Sequence, residues 1–211
     1  MNEYNDQYYV DRITEKIDSI EDQELKDLVL RLVAERNNLM NVIKVDPLTG
    51  VYNRRIIKKI RDYTSVAMCD IDEFKRINDD LGHPTGDLAL QLVSQVLESK
   101  CRDKDYVIRM GGDEFAIIFC GANKEAVKSR MKEIAKTLED TQFRSGHQIT
   151  ISVGIAHNEN GESLEKALEK ADQALYSSKQ HGRNRITSYE ELLFQEPEKY
   201  IIEEDKPHYS M

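Results

Sequence analysis

Two pairs of carboxylates stand where a chain would need a reason to put them. Asp113 and Glu114 follow Gly111 and Gly112 in "VIRMGGDEFAIIF", between two apolar runs of strand character. Gly-Gly between such runs is a hairpin signal, because glycine takes φ > 0 at no steric cost. The plain alternative is a solvated acidic turn. The second pair, Asp70 and Asp72, stands where the apolar run "SVAM" ends. A carboxylate at the end of a buried strand calls for a partner, a capping role or a metal. Asp72 shares a side with Asp70 if the strand persists; otherwise it caps the helix that follows.

Polar groups of other kinds lie close by in sequence. Lys75 and Asn78 are three apart on the segment 73–82 and share a helical face. A cation beside an amide suits a phosphate and a base edge, or is simply an exposed polar face. "LGHPTGDLAL" places His83 and Asp87 in a glycine-bounded loop just before a helix, where the plain alternatives are a polar surface histidine and an N-cap aspartate.

These groups need elements to hold them. Residues 1–45 read as helical, with Leu25, Leu28, Leu32, Leu39 and Val42 near 3-4 spacing. That stripe forms a short coiled coil or docks on its own domain, and Glu35 interrupts it. "DPLTGVYNRR" (46–55) reads as a boundary loop. A strand over 64–72, helices over 73–82 and 87–100, and strands at 106–109 and 115–119 follow. A helix over 124–140, a strand over 147–156, a helix over 163–182 capped by Gly182, and a strand over 183–189 complete the core. Hairpin-joined neighbours imply a mixed, mainly antiparallel sheet with helices on its faces, an α/β (α+β) class. No GxGxxG or GxxxxGK[ST] is present, so phosphates are held another way.

Composition narrows the class. The 211 residues are 39% hydrophobic and 33% charged, with net charge −9. That balance disfavours a general nucleic-acid binder, though not a nucleotide substrate. The apolar runs are too short to span a bilayer. "MNEYNDQYYVDR" lacks the basic start and apolar core of a secretory signal. Cys69, Cys101 and Cys120 form neither a disulfide framework nor a zinc pattern, and a reducing cytoplasm is expected. The tail 188–211 holds seven acids and two lysines, hence −5.

Five ordered stretches within residues 46–187 resemble the GGDEF family of diguanylate cyclases: "DPLTGVYNRR", "DIDEFKRINDDLGHPTGD", "RMGGDEF", "ISVGIA" and "ADQALYSSKQHGRNR". The resemblance implies a sheet like the palm of nucleotidyl cyclases and polymerases. It implies that two GTP molecules, one per subunit, are joined into cyclic di-GMP with release of pyrophosphate, by a homodimer. Asp70, Asp113 and the Ile71 carbonyl match the family's ligands for Mg²⁺ (or Mn²⁺). Asp113 or Glu114, or a metal-bound water, is the implied base, and Gly111 and Gly112 let nucleotide and partner subunit approach. Asn78 and Asp87 match guanine-reading residues, with His83 a further substrate contact. Lys75, Lys179 and Arg183 match phosphate-binding cations. Arg102 and Asp105 match the product-inhibition site for cyclic di-GMP. Two rivals, a non-catalytic cyclic di-GMP receptor and a cyclase making cyclic GMP-AMP, are disfavoured by the intact "GGDEF" and by Asp87. An unknown regulatory partner is expected at the N-terminal segment or at the tail.

Overall fold

The computed structural model describes residues 16–17, 23–42, 44–158 and 161–195. The chain divides into two units, one up to Lys44 and one from Val45. In the first, α1 (Gln23–Val42) covers 20 residues of the expected helix. Leu25, Leu28 and Leu32 expose 49%, 56% and 57% of their surface. The side chains of Leu39 and Val42, and residues 1–15 and 18–22 of the expected helix, lie outside the described residues.

From Val45 the order is β1 (Tyr52–Asn53), a 3-10 helix (Arg54–Lys59), β2 (Ser65–Ile71), α2 (Phe74–Leu81), α3 (His83–Lys100), β3 (Tyr106–Gly111) and β4 (Glu114–Phe119). Then come α4 (Lys124–Asp140), a 3-10 turn (Arg144–Gly146), β5 (Ile151–His157), α5 (Leu164–Gln180), β6 (Ile186–Ser188) and α6 (Tyr189–Gln195). The sheet order is β1-β3-β4-β2-β5-β6. The β2–β4, β2–β5 and β3–β4 pairs are antiparallel, whereas short β1 and β6 lie parallel to β3 and β5. This is the mixed, mainly antiparallel, palm-like sheet that the element order and the resemblance imply.

Strand β2 is central because it is apolar on both faces, and all seven of its residues are buried. Ala67, Cys69 and Ile71 join Phe115, Ile117 and Phe119 under α2, α3 and α4. Val66 and Met68 join Ile108, Ala116 and Ile118 under the 3-10 helix, α5 and α6. Each large side chain so buried contributes about 1.5–3 kcal/mol. By the same alternation Asp70 falls on the α5 side of the sheet, at the end of an apolar row. Cys69, Cys101 and Cys120 are free thiols, Cys69 buried and the others half-buried.

Three local expectations are corrected. His83 and Asp87 are not in a loop: α3 begins at His83, because Gly82 at φ +82° ends α2 and Pro84 is pre-set for the first helical turn. The stretch 46–55 is not loop throughout, since Tyr52 and Asn53 pair with Ile108 and Arg109 at the sheet edge. Strand β5 starts at Ile151, four residues late, because a 3-10 turn and an irregular stretch occupy 144–150. The tail also contributes: Tyr189 and Leu192 of α6 are buried in the second core, while Phe194 is exposed. Residues 196–211 lie outside the described residues.

Candidate active site

The β3–β4 hairpin turns at Gly112, whose φ of +51° lies in the region that favours glycine. A register shift between Arg109 and Gly111 sets Gly111 opposite Glu114. Across the sheet Glu114 pairs directly with Asp70. The Ile71 amide donates to the Asp113 carbonyl at 3.4 Å, so the end of β2 abuts the turn. The two acidic segments, 43 residues apart between Asp70 and Asp113 in sequence numbering, thus meet at one edge.

Lys179 of α5 reaches this edge and places its Nζ 2.7 Å from Asp70 Oδ2. One ammonium does not balance the site. Burial first, then the charges of Asp113 and Glu114 against the Lys179 bond, push the Asp70 carboxyl up to about 6. Burial also raises Glu114, with Lys179 opposing and Asp172 and Asp113 adding to the rise. Hard carboxylate oxygens short of positive charge fit a divalent cation that takes one or two carboxylates and completes its shell with phosphate and water. Among the described residues no three His, Cys, Asp or Glu side chains gather to hold a metal by themselves. Asp70 and Asp113, with the Ile71 backbone beside them, are the groups at this junction that could hold such an ion.

Two residues that the sequence reading gave no role hold the hairpin. Arg109 donates from Nε (3.1 Å) and Nη2 (2.8 Å) to the Gly112 carbonyl, and from Nη1 to Asp46 Oδ1 at 3.1 Å. Asp46 also accepts from the Thr49 amide at 2.9 Å and hydroxyl at 2.7 Å. Burial opposes its charge, but these bonds outweigh it and hold the carboxyl below the usual range. Asp46 and Arg109 lie in two of the quoted stretches, yet nothing local links residues 63 apart.

On the other face, Asn78 of α2 packs onto Gly86 of α3. A Cβ at Gly86 would stand 2.0 Å from Asn78 Oδ1, so only glycine admits that approach. Asp87 follows Gly86 on the exposed side of the helix, as His83 does at its start. Lys75 is exposed on the first turn of α2. Asn78 and Asp87 are thus carried by two helices in contact rather than by a helix and a loop.

Past α5 the chain turns through Gly182, Arg183 and Asn184, at φ +104°, +60° and +42°. Gly182 ends the helix as expected, and the Arg183 amide returns to the Ser178 carbonyl at 3.1 Å. Asp72 caps nothing: Glu73 is the residue before α2 and makes no side-chain cap bond. The Asp72 carboxylate accepts from Ser152 Oγ (2.6 Å), Thr150 Oγ1 (2.8 Å) and the Asn184 amide (3.0 Å). Arg183 lines a cavity of about 530 Å³ together with Asp72, Arg76, Ile77 and His147.

Arg102 and Asp105 sit before β3, at the end of the strand away from the hairpin. At about 3.3 Å per residue that separates them from Gly111 by about 20 Å. The Asp105 side chain is wholly buried. It accepts from the Arg102 amide at 3.0 Å, Arg102 Nε at 3.2 Å and the Cys120 amide at 3.1 Å. Asp105 therefore anchors a turn and orients Arg102, whose side chain remains 40% exposed.

Comparison with known proteins falls on this domain. The family model described as "Diguanylate cyclase, GGDEF domain" matches residues 43–185. Diguanylate cyclase DgcP of Pseudomonas aeruginosa is 33% identical over 188 residues, covering 82% of this chain and 27% of its own length. Diguanylate cyclase A of Treponema denticola is 39% identical over 131 residues, covering 60% and 35%. The chain thus spans about a quarter to a third of these relatives. The crystal structure of the GGDEF domain of DgcB from Caulobacter crescentus, in complex with c-di-GMP, superposes with a TM-score of 0.66 at 33% identity, over 70% of this chain and 96% of that one. With its hairpin acids, strand-end Asp70 and strands β1 to β5 all carried by the matched span, the chain belongs to the GGDEF-domain diguanylate cyclase family.

Proposed function

We propose that the chain condenses two GTP into cyclic di-GMP with release of two pyrophosphates, two copies facing one another. The observation that carries this is the junction of Asp70, Glu114 and Lys179 beside the glycine hairpin, on the chain of a cyclase family. Asn78 and Asp87 read the guanine edge; Asp87 accepts from the N1 and N2 donors that adenine does not present in that pattern. Lys75, Lys179 and Arg183 neutralise the β- and γ-phosphates, where charge builds as pyrophosphate leaves. A hairpin carboxylate, Asp113 or Glu114, or a metal-bound water takes the proton from the 3′-hydroxyl. Asp70, Asp113 and the Ile71 carbonyl would hold Mg²⁺ or Mn²⁺, which supplies further charge stabilisation at the α-phosphate.

Each copy holds one GTP, so turnover needs two. The half-exposed leucines of α1 favour association of two chains, which raises the effective concentration of the domains. Product held at Arg102, far from the hairpin, would keep two domains from meeting and so inhibit. A regulatory partner would act through the N-terminal segment or the tail. No described helix is long and apolar enough to cross a membrane.

The test is product chromatography after incubation with GTP, or with GTP and ATP, in Mg²⁺ and in EDTA. Wild type should make cyclic di-GMP only with metal, and folded Asp113→Asn should make none. A folded wild type that binds cyclic di-GMP but turns over no GTP would replace this reading with the receptor.

A further inference from the structure

The turn after α5 poses a problem that α5 itself does not solve. Arg183 and Asn184 are both left-handed, at φ +60° and +42°, directly after Gly182. Residues with a Cβ adopt that conformation only where their surroundings over-determine it. Two side-chain bonds lie at the turn, Asn184 Nδ2 to Glu139 Oε1 at 3.3 Å and Arg185 Nε to the Arg183 carbonyl at 3.4 Å. Three backbone N–H bonds close it. The Arg183 amide donates to the Ser178 carbonyl at 3.1 Å, and the Val153 amide to the Arg185 carbonyl at 2.8 Å. The third is the Asn184 amide on Asp72 Oδ2 at 3.0 Å, the one bond of the three to a charged acceptor.

Asp72 is built for that bond. It is 8% exposed. Ser152 and Thr150 on and beside β5 donate to its two oxygens, leaving Oδ2 aimed at residue 184. Its own amide is tied to the Thr150 carbonyl at 2.9 Å. Asp72 follows Asp70 and Ile71 on the same short stretch, so the segment that presents the acidic edge also fixes the turn that presents Arg183.

The geometry points to Asp72 as a positioning residue for Arg183: its carboxylate pins the Asn184 amide and thereby holds the Arg183 guanidinium over the phosphate end of the nucleotide site. This rests on the proposed role of Arg183 in phosphate binding. A hydrogen bond to a charged acceptor is worth about tenfold or more in an equilibrium that depends on it. The consequence is specific to the triphosphate. Guanine contacts from Asn78 and Asp87 come from other elements and should not feel the loss.

The test compares affinity for a non-hydrolysable GTP analogue and for GMP, in Mg²⁺, for full-length wild type, Asp72→Ala, Asp72→Asn, Arg183→Ala and the Asp72→Ala/Arg183→Ala double variant. Asp72→Ala should weaken the triphosphate about tenfold and leave GMP unchanged. Asp72→Asn keeps an acceptor for residue 184 and should recover most of the loss; it also serves if Asp72→Ala fails to fold. In the Arg183→Ala background, Asp72→Ala should add nothing, because the two act on one contact. Equal loss for GMP and triphosphate, or additive losses in the double variant, overturns the inference. If Arg183→Ala itself leaves triphosphate affinity unchanged, the phosphate role of Arg183 fails instead, which is a separate result.

Discussion

Gly86→Ala separates the fold from the substrate site. The added Cβ would stand 2.0 Å from Asn78 Oδ1, 2.9 Å from its Cγ and 3.3 Å from Phe74 Cζ. No Cβ survives at 2.0 Å, so something moves. The obstacle is the end of a side chain, so Asn78 rotates away before the two helices part. Two stability effects then oppose each other. Alanine within a helix gains about 1 kcal/mol over glycine, and an off-rotamer Asn78 costs about 0.5–1.5 kcal/mol. The net change in unfolding free energy should stay within about 1 kcal/mol. Substrate binding has no such compensation. A guanine edge left without its Asn78 partner costs about 1–3 kcal/mol, hence a rise of about 5- to 150-fold in KM for GTP. Urea unfolding and steady-state kinetics on one preparation read both quantities. In an Asn78→Ala background the same change should leave KM where Asn78→Ala put it. An unchanged KM refutes the placement of Asn78 at the base; a stability loss above about 3 kcal/mol shows that the helices gave way, and refutes the steric reasoning.

Three further outcomes are expected. Because burial lifts the Asp70 carboxyl from 3.8 to about 6, the folded chain binds that proton more tightly than the unfolded one. Its contribution to stability is present below about pH 4 and lost as pH rises through 6. In EDTA, urea midpoints of Asp70→Asn should therefore gain on wild type across that window, and a gap moving the other way contradicts the account. Arg109→Ala removes both bonds to the Gly112 carbonyl and should lower kcat by about 10- to 100-fold with KM little changed, since hairpin placement matters to the reacting atoms; stopped-assay kinetics with intact near-native stability decide it. Arg102→Ala should weaken cyclic di-GMP binding and raise the activity plateau, while Asp105→Ala should also cost stability, because the Cys120 and Arg102 amides lose their acceptor; superimposable product-inhibition curves for wild type and Arg102→Ala would end that assignment.

The sheet was legible where side-chain alternation is strong. "SVAM" and "ISVGIA" declare themselves as strands, and Gly111–Gly112 as a hairpin, by local rules. His83 escaped because a Gly-Pro neighbourhood reads as loop, although Pro84 at a first helical turn is equally local evidence for a helix. β1 escaped because two residues hold no period. Asp46–Arg109 and Asp72–Asn184 escaped for a deeper reason. They join residues 63 and 112 apart, and no spacing rule reaches that far. Asp72 shows the limit well: its spacing from Asp70 suggested the same site, while its partners belong to β5 and the turn after α5.

The pairing of β2 has a kinetic side. Both of its neighbours come later in the chain, and its last partner, His157, lies 92 residues beyond Ser65. During synthesis at about 5–20 residues per second, β2 waits on the order of ten seconds for β5 to be made. Until β4 is made this largely apolar strand has two unpaired edges, and until β5 is made it has one; every long-range pairing it awaits carries a loop-closure cost. The acidic edge at Asp70 is consequently among the last features to assemble, after β4 has docked and α5 has delivered Lys179. A nascent or truncated chain ending before Ile151 leaves one edge of β2 open to pairing with another chain, and lacks the Lys179 that meets Asp70.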